Sequence, residues 1–173
     1  AHALGAAGVG LYRTEFLFMG SSELPDEEMQ FRAYRDAVIA MTGRTVTIRT
    51  LDLGADKADK TGLALRDEPN PALGLRGVRL SLAREGLLRT QLRAMARASG
   101  YGPLRALVPM VSGYEEMRTV RSALDAVLFE LRSEGFEVAE HVPLGAMIEV
   151  PSAAISLPDF IGLCDFLSIG TND

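Results

Sequence analysis

Five apolar runs along this chain each end in a polar cluster or a proline, and helix-length segments separate them. Gly8 to Tyr12 runs into Arg13-Thr14-Glu15, and Thr45 to Ile48 into Arg49-Thr50-Leu51-Asp52. Leu104 to Val108 runs into Pro109-Met110, Leu144 to Ile148 into Glu149, and Phe166 to Gly170 into Thr171-Asn172-Asp173. Runs this short read as strands. Parallel strands need a long crossover between them, usually a helix, and all their C-terminal ends then lie on one face. The expectation is an α/β fold whose strand ends gather Arg13, Arg49, Glu149, Asn172 and Asp173.

That set has a definite chemistry. Guanidinium groups bind phosphate through paired N–H donors and stay charged at any working pH. Two carboxylates at two strand ends can hold Mg²⁺, which keeps water or ligand oxygens in its other positions. Asn172 can donate through its amide. The set therefore suits a small phosphorylated acid bound with a divalent metal. The plainer alternative is an ion pair from each arginine to Glu15 or Asp52, and helix caps or turns for the acids and the asparagine. Arg76 is a third candidate, with Arg79 three residues away. Lys57 lies in a polar loop, where a solvated lysine is the ordinary reading.

Composition narrows the class. The 173 residues suffice for one core, and a mean hydropathy of +0.11 fits a globular domain. A net charge of −5 gives no overall basic field for nucleic acid. No apolar run is long enough for a transmembrane helix, and no signal-like N-terminus is present. One cysteine makes no internal disulfide, which fits a cytoplasmic location.

Between the strands, Pro25 to Met41 predicts a helix with Pro25 in its first turn and Gly43 as its stop. Phe31, Tyr34, Val38 and Met41 share its core face. A second helix is predicted over Gly86 to Ser99, with Leu87, Leu88, Leu92 and Met95 inward. Ser112-Gly113-Tyr114-Glu115 has capping-box spacing and opens a helix to about Ser133. Pro151 should break the fourth strand, with a short helix from Ser152. Residues 53 to 74 read as a long polar loop.

The motifs also resemble a known family. Gly-Val-Gly-Leu-Tyr-Arg-Thr-Glu-Phe-Leu-Phe-Met (8 to 19) is similar to the opening motif of the phosphoenolpyruvate-binding domain of Enzyme I. Enzyme I is the phosphoenolpyruvate-protein phosphotransferase of the bacterial sugar phosphotransferase system. Arg49-Thr50-Leu51-Asp52-Leu53-Gly54-Ala55-Asp56-Lys57 and Asn70-Pro71-Ala72-Leu73-Gly74-Leu75-Arg76-Gly77-Val78-Arg79 resemble its next two blocks. Residues 145 to 154 and 168 to 173 resemble the last two, all in one order along the whole chain.

The resemblance implies a single domain over residues 1 to 173, part of a TIM (β/α)₈ barrel with about five of its eight strands present. One strand should lie upstream and two downstream. It implies phosphoenolpyruvate held by Arg13, Arg49 and Arg76, with Lys57, Asn172 and Asp173 as further contacts, and Mg²⁺ held by Glu149 and Asp173. It implies transfer of the phosphoryl group to a histidine on a separate domain, then to the carrier HPr, in a cytoplasmic homodimer. No catalytic residue is expected here: the family's cysteine sits in a Cys-Gly-Glu motif that this chain lacks. Cys164 reads as buried filler, and His2 and His141 as surface residues. A pyruvate phosphate dikinase or phosphoenolpyruvate synthase barrel, and a non-catalytic fragment, remain as alternatives.

Overall fold

A computed structural model describes residues 5–19, 23–53 and 74–171. Its strands are β1 (Val9–Tyr12), β2 (Val46–Arg49), β3 (Leu104–Val108), β4 (Leu144–Ile148) and β5 (Phe166–Ile169). Each pairs in parallel with the next, so the spatial order is β1-β2-β3-β4-β5. Crossovers between parallel strands are right-handed, so a sheet that always steps the same way receives all its helices on one face. A doubly wound sheet would reverse its strand order partway. The sequential order belongs instead to a curled half-barrel, the incomplete (β/α)₈ arrangement expected from the motifs.

The register assigns the two faces. Val46, Ile48, Leu104, Ala106, Val108, Leu144 and Ala146 lie toward the helices and are all buried in the main core. They pack with Phe31, Tyr34, Val38, Leu92, Met95, Leu124 and Leu131. Thr47, Arg49, Arg105, Leu107, Gly145 and Met147 alternate with them and form the concave face. β2 is buried along its whole length, whereas β5 leaves Ile169 largely exposed.

The helices are α1 (Glu15–Met19), α2 (Glu27–Ala40), α3 (Gly77–Ala83), α4 (Glu85–Ser99), α5 (Tyr114–Ser133) and α6 (Pro151–Phe160). The long ones fall where apolar spacing put them, and the α2 face of Phe31, Tyr34, Val38 and Met41 is buried as expected. The starts of α2, α5 and α6 differ from the sequence reading, and α4 begins one residue early, at Glu85. α2 is capped by Asp26, whose Oδ1 accepts the Met29 amide at 2.7 Å, so Pro25 precedes the helix. A carboxylate can satisfy an orphan amide and proline cannot. The α5 box closes with Glu116: its carboxylate accepts the Ser112 amide at 2.6 Å and hydroxyl at 2.9 Å, while Glu115 pairs with Arg118. The cap itself is Gly113, which puts Glu116 at the third helical position. α6 begins at Pro151 rather than Ser152, because proline is well suited to the first helical position. The short helices α1 and α3 had no apolar periodicity long enough to predict them.

Candidate functional site at the strand ends

The last residue of β2, Arg49, lies on the concave face and enters a buried ion cluster. Its Nη2 lies 2.7 Å from Glu15 Oε1 at the start of α1, and its Nη1 3.3 Å from Asp52 Oδ2. Arg76, the residue before α3, reaches the same Asp52: Nη2 is 3.2 Å from Oδ1 and 3.3 Å from Oδ2. The side chains of Glu15, Arg49, Asp52 and Arg76 are 5, 8, 3 and 8% exposed. Charges so far from water must be paired, and two cations facing two carboxylates meet that need. The set still has unused capacity. Arg49 Nε and Glu15 Oε2 are buried with no hydrogen-bond partner among the described residues.

The backbone around Arg49 is held from three sides. Thr14 Oγ1 donates to the Arg49 carbonyl at 3.0 Å, and the Thr50 amide donates to Leu107 O at 2.9 Å, the last ladder bond of β2. The next amide, Leu51, has no strand partner. It donates to the side-chain carbonyl of Gln91 on α4 at 2.8 Å. The chain then turns so that Asp52 points back at Arg49.

Gly77 and Met110 join this cluster to the neighbouring strand ends. Gly77 has φ +54°, and a Cβ there would sit 2.8 Å from Met110 Cβ and Cγ and 3.4 Å from Asp52 Oδ1. Only glycine takes that conformation and that contact together. The Val78 amide donates to Pro109 O at 3.3 Å, which docks the start of α3 onto the end of β3. Met110 itself has φ +57°, and its amide donates to Glu149 Oε1 at 2.7 Å, just beyond β4. The carboxylate of Glu149 lies over Gly170, where a Cβ would come within 2.7 Å of Oε2.

The expected site residues thus distribute unevenly. Arg49 and Arg76 come together on Asp52. Glu149 stands at the end of β4, tied to the end of β3. Arg13 follows β1 directly and is exposed, outside the buried cluster. Lys57, Asn172 and Asp173 lie outside the described residues. Among the described residues no group of three or more His, Cys, Asp or Glu is arranged to hold a metal. Glu15 and Asp52 hold the arginines, as expected of acids beside them. Gln91, Gly77, Met110 and Gly170 were not singled out from sequence. A glutamine inside the Leu88–Leu92–Met95 stripe is the one signal that could have found Gln91, since a buried amide needs a partner.

The remaining candidates are bland. Cys164 is half-buried, its Sγ lies 3.7 Å from Phe160 O, and burial pushes its thiol pKa up. His141 is exposed beside Asp165 at 3.2 Å. His2 lies outside the described residues.

A sequential parallel sheet that gathers arginines and a carboxylate at its strand C-termini defines a domain of the (β/α)-barrel class. The chain belongs to the family described as PEP-utilising enzyme, PEP-binding domain, which matches residues 1–173. It is 50% identical over 175 residues to a phosphoenolpyruvate-protein phosphotransferase of Cupriavidus necator, covering 100% of this chain and 30% of that protein. It is 48% identical over 169 residues to the protein of that name from Listeria monocytogenes, and 47% identical over 169 residues to that of Staphylococcus carnosus. Each of these two matches covers 98% of this chain and 29% of the relative. The chain therefore spans about three-tenths of the length of the curated relatives it matches. Among the described residues no helix is long and apolar enough to cross a membrane.

Proposed function

We propose that this chain is the phosphoenolpyruvate-binding part of a phosphoenolpyruvate-protein phosphotransferase. The observation that carries the reading is the buried cluster in which Asp52 aligns Arg49 and Arg76 at the end of β2. Guanidinium groups fixed in advance lose little freedom when a phosphate arrives. Arg49 and Arg76 grip the phosphate, with Arg13 at the end of β1. Lys57, Asn172 and Asp173 complete the contacts. Glu15 and Asp52 keep the guanidinium planes oriented.

Glu149 suits a hard divalent cation: it offers carboxylate oxygens over Gly170, where no Cβ intrudes. Glu149 and Asp173 would hold Mg²⁺. A metal held there would supply positive charge to offset the charge that develops as the phosphoryl bond breaks. The phosphoryl group passes to a histidine elsewhere in the parent protein and on to HPr for sugar uptake, leaving pyruvate. The parent protein acts as a cytoplasmic homodimer. This chain supplies binding and orientation; the acid and the nucleophile come from other parts of that protein.

Calorimetric titration of phosphoenolpyruvate, with and without Mg²⁺, tests the reading. Binding should require Mg²⁺ and weaken about ten- to hundred-fold in Arg49→Lys, which keeps the charge and loses the paired donors. Binding that ignores both changes, or no binding by a folded sample, overturns it.

A further inference from the structure

A hydrogen-bonded relay runs from the turn after β2 through two helices. The Leu51 amide donates to Gln91 Oε1 at 2.8 Å, and Gln91 Nε2 donates to the Tyr34 hydroxyl at 3.0 Å. That hydroxyl donates to Gln30 Oε1 at 3.0 Å, and Gln30 Nε2 donates to Pro25 O at 2.9 Å. Gln30 and Tyr34 are wholly buried and Gln91 is 1% exposed. Every donor in the series points the same way, so each bond polarises the next. The phenol can serve both amides only with each amide in one orientation. Burial holds the Tyr34 hydroxyl protonated far above the ordinary tyrosine range, so it stays available as a donor. A core that needed only volume would use leucine and phenylalanine here, without the cost of three buried polar side chains.

We propose that Gln91, backed by Tyr34 and Gln30, is a positioning residue for substrate binding. It acts through the Leu51 amide. Holding that amide one residue past the ladder fixes the turn that brings Asp52 back onto Arg49 and Arg76. The inference rests on the phosphoenolpyruvate reading of the cluster.

The test is steady-state kinetics in the full-length phosphotransferase that contains this chain, with Gln91→Met, Tyr34→Phe, Gln30→Met and Ser99→Ala. Ser99 is a buried hydroxyl outside the relay, bonded to Ala96 O and the Ala139 amide. KM for phosphoenolpyruvate should rise about ten-fold in Gln91→Met. Smaller rises are expected in Tyr34→Phe and then Gln30→Met, with kcat per folded molecule within about two-fold. Combined with Arg49→Lys, Gln91→Met should add less than its single effect. If the variants only unfold at lower temperature and leave KM as in Ser99→Ala, the relay is structural and the inference fails. A wild-type protein that does not use phosphoenolpyruvate overturns the functional reading itself, before any variant is compared.

Discussion

Gly77→Ala strikes the point where both halves of the site meet. A left-handed φ of +54° costs an alanine about 1–2 kcal/mol. The added methyl would lie 2.8 Å from Met110 Cβ and Cγ, and Met110 is buried and cannot swing into solvent. Overpacking of that kind costs about 1–3 kcal/mol. The combined loss of about 2–5 kcal/mol is a large part of the stability of a single domain. With a urea slope of about 2 kcal/mol per M, the unfolding midpoint should fall by roughly 1–2.5 M. The two contributions can be separated. Met110→Gly removes the atoms that collide and leaves the strain at residue 77, so the penalty of Gly77→Ala should shrink by about 1–3 kcal/mol in that background. A midpoint shift worth less than about 0.5 kcal/mol would refute the reasoning, and so would a penalty unchanged by Met110→Gly.

Three further outcomes are expected. Arg49→Met should destabilise the chain by about 3–5 kcal/mol, because it leaves Glu15 and Asp52 buried with one cation fewer; thermal unfolding with a loss under about 1 kcal/mol would show that the pairing is not desolvated. Gly170→Ala should weaken Mg²⁺ binding about ten-fold, since its Cβ would fall 2.7 Å from Glu149 Oε2; an unchanged Mg²⁺ titration would remove Glu149 as a ligand. Asp165 concerns pH. Burial alone would raise its carboxyl pKa, but the Leu144 amide at 2.7 Å and Arg121 at 2.6 Å outweigh it and hold the value below the ordinary range. A lowered folded value means stability that is present above the unfolded pKa and is lost as pH falls through the folded one. Urea midpoints should therefore favour wild type over Asp165→Asn at neutral pH, and the gap should narrow as pH falls below about 4; no gap at neutral pH would contradict the ion pair.

The strand ends show how much of the site was legible. Arg49 and Glu149 could be placed because each follows a short apolar run, and parallel topology sends every such end to one face. The ion pairs of Arg49 to Glu15 and Asp52, the plainer alternative in the sequence, are present; Arg76 as a second partner of Asp52 was not legible, because 24 residues separate the two and no local period links them. Gln91 looked like one polar residue in an apolar stripe; its role appears only where α4 passes the end of β2. Sequence spacing places the α5 box one residue early, with Ser112 and Glu115 instead of a cap at Gly113 and Glu116, because spacing alone does not tell which of two adjacent carboxylates faces the serine.

Apolar periodicity and chain order, then, determined the strands, the long helices and the parallel sheet, because backbone hydrogen bonding and burial are local demands written every two or every 3.6 residues. The family followed from motifs in the same order. Which charges meet, which glycine has no room for a methyl, and which helix side chain takes the amide that β2 leaves unpaired were decided only by the tertiary structure. Those are contacts between distant segments, and their energies exist only once the strands and helices are packed.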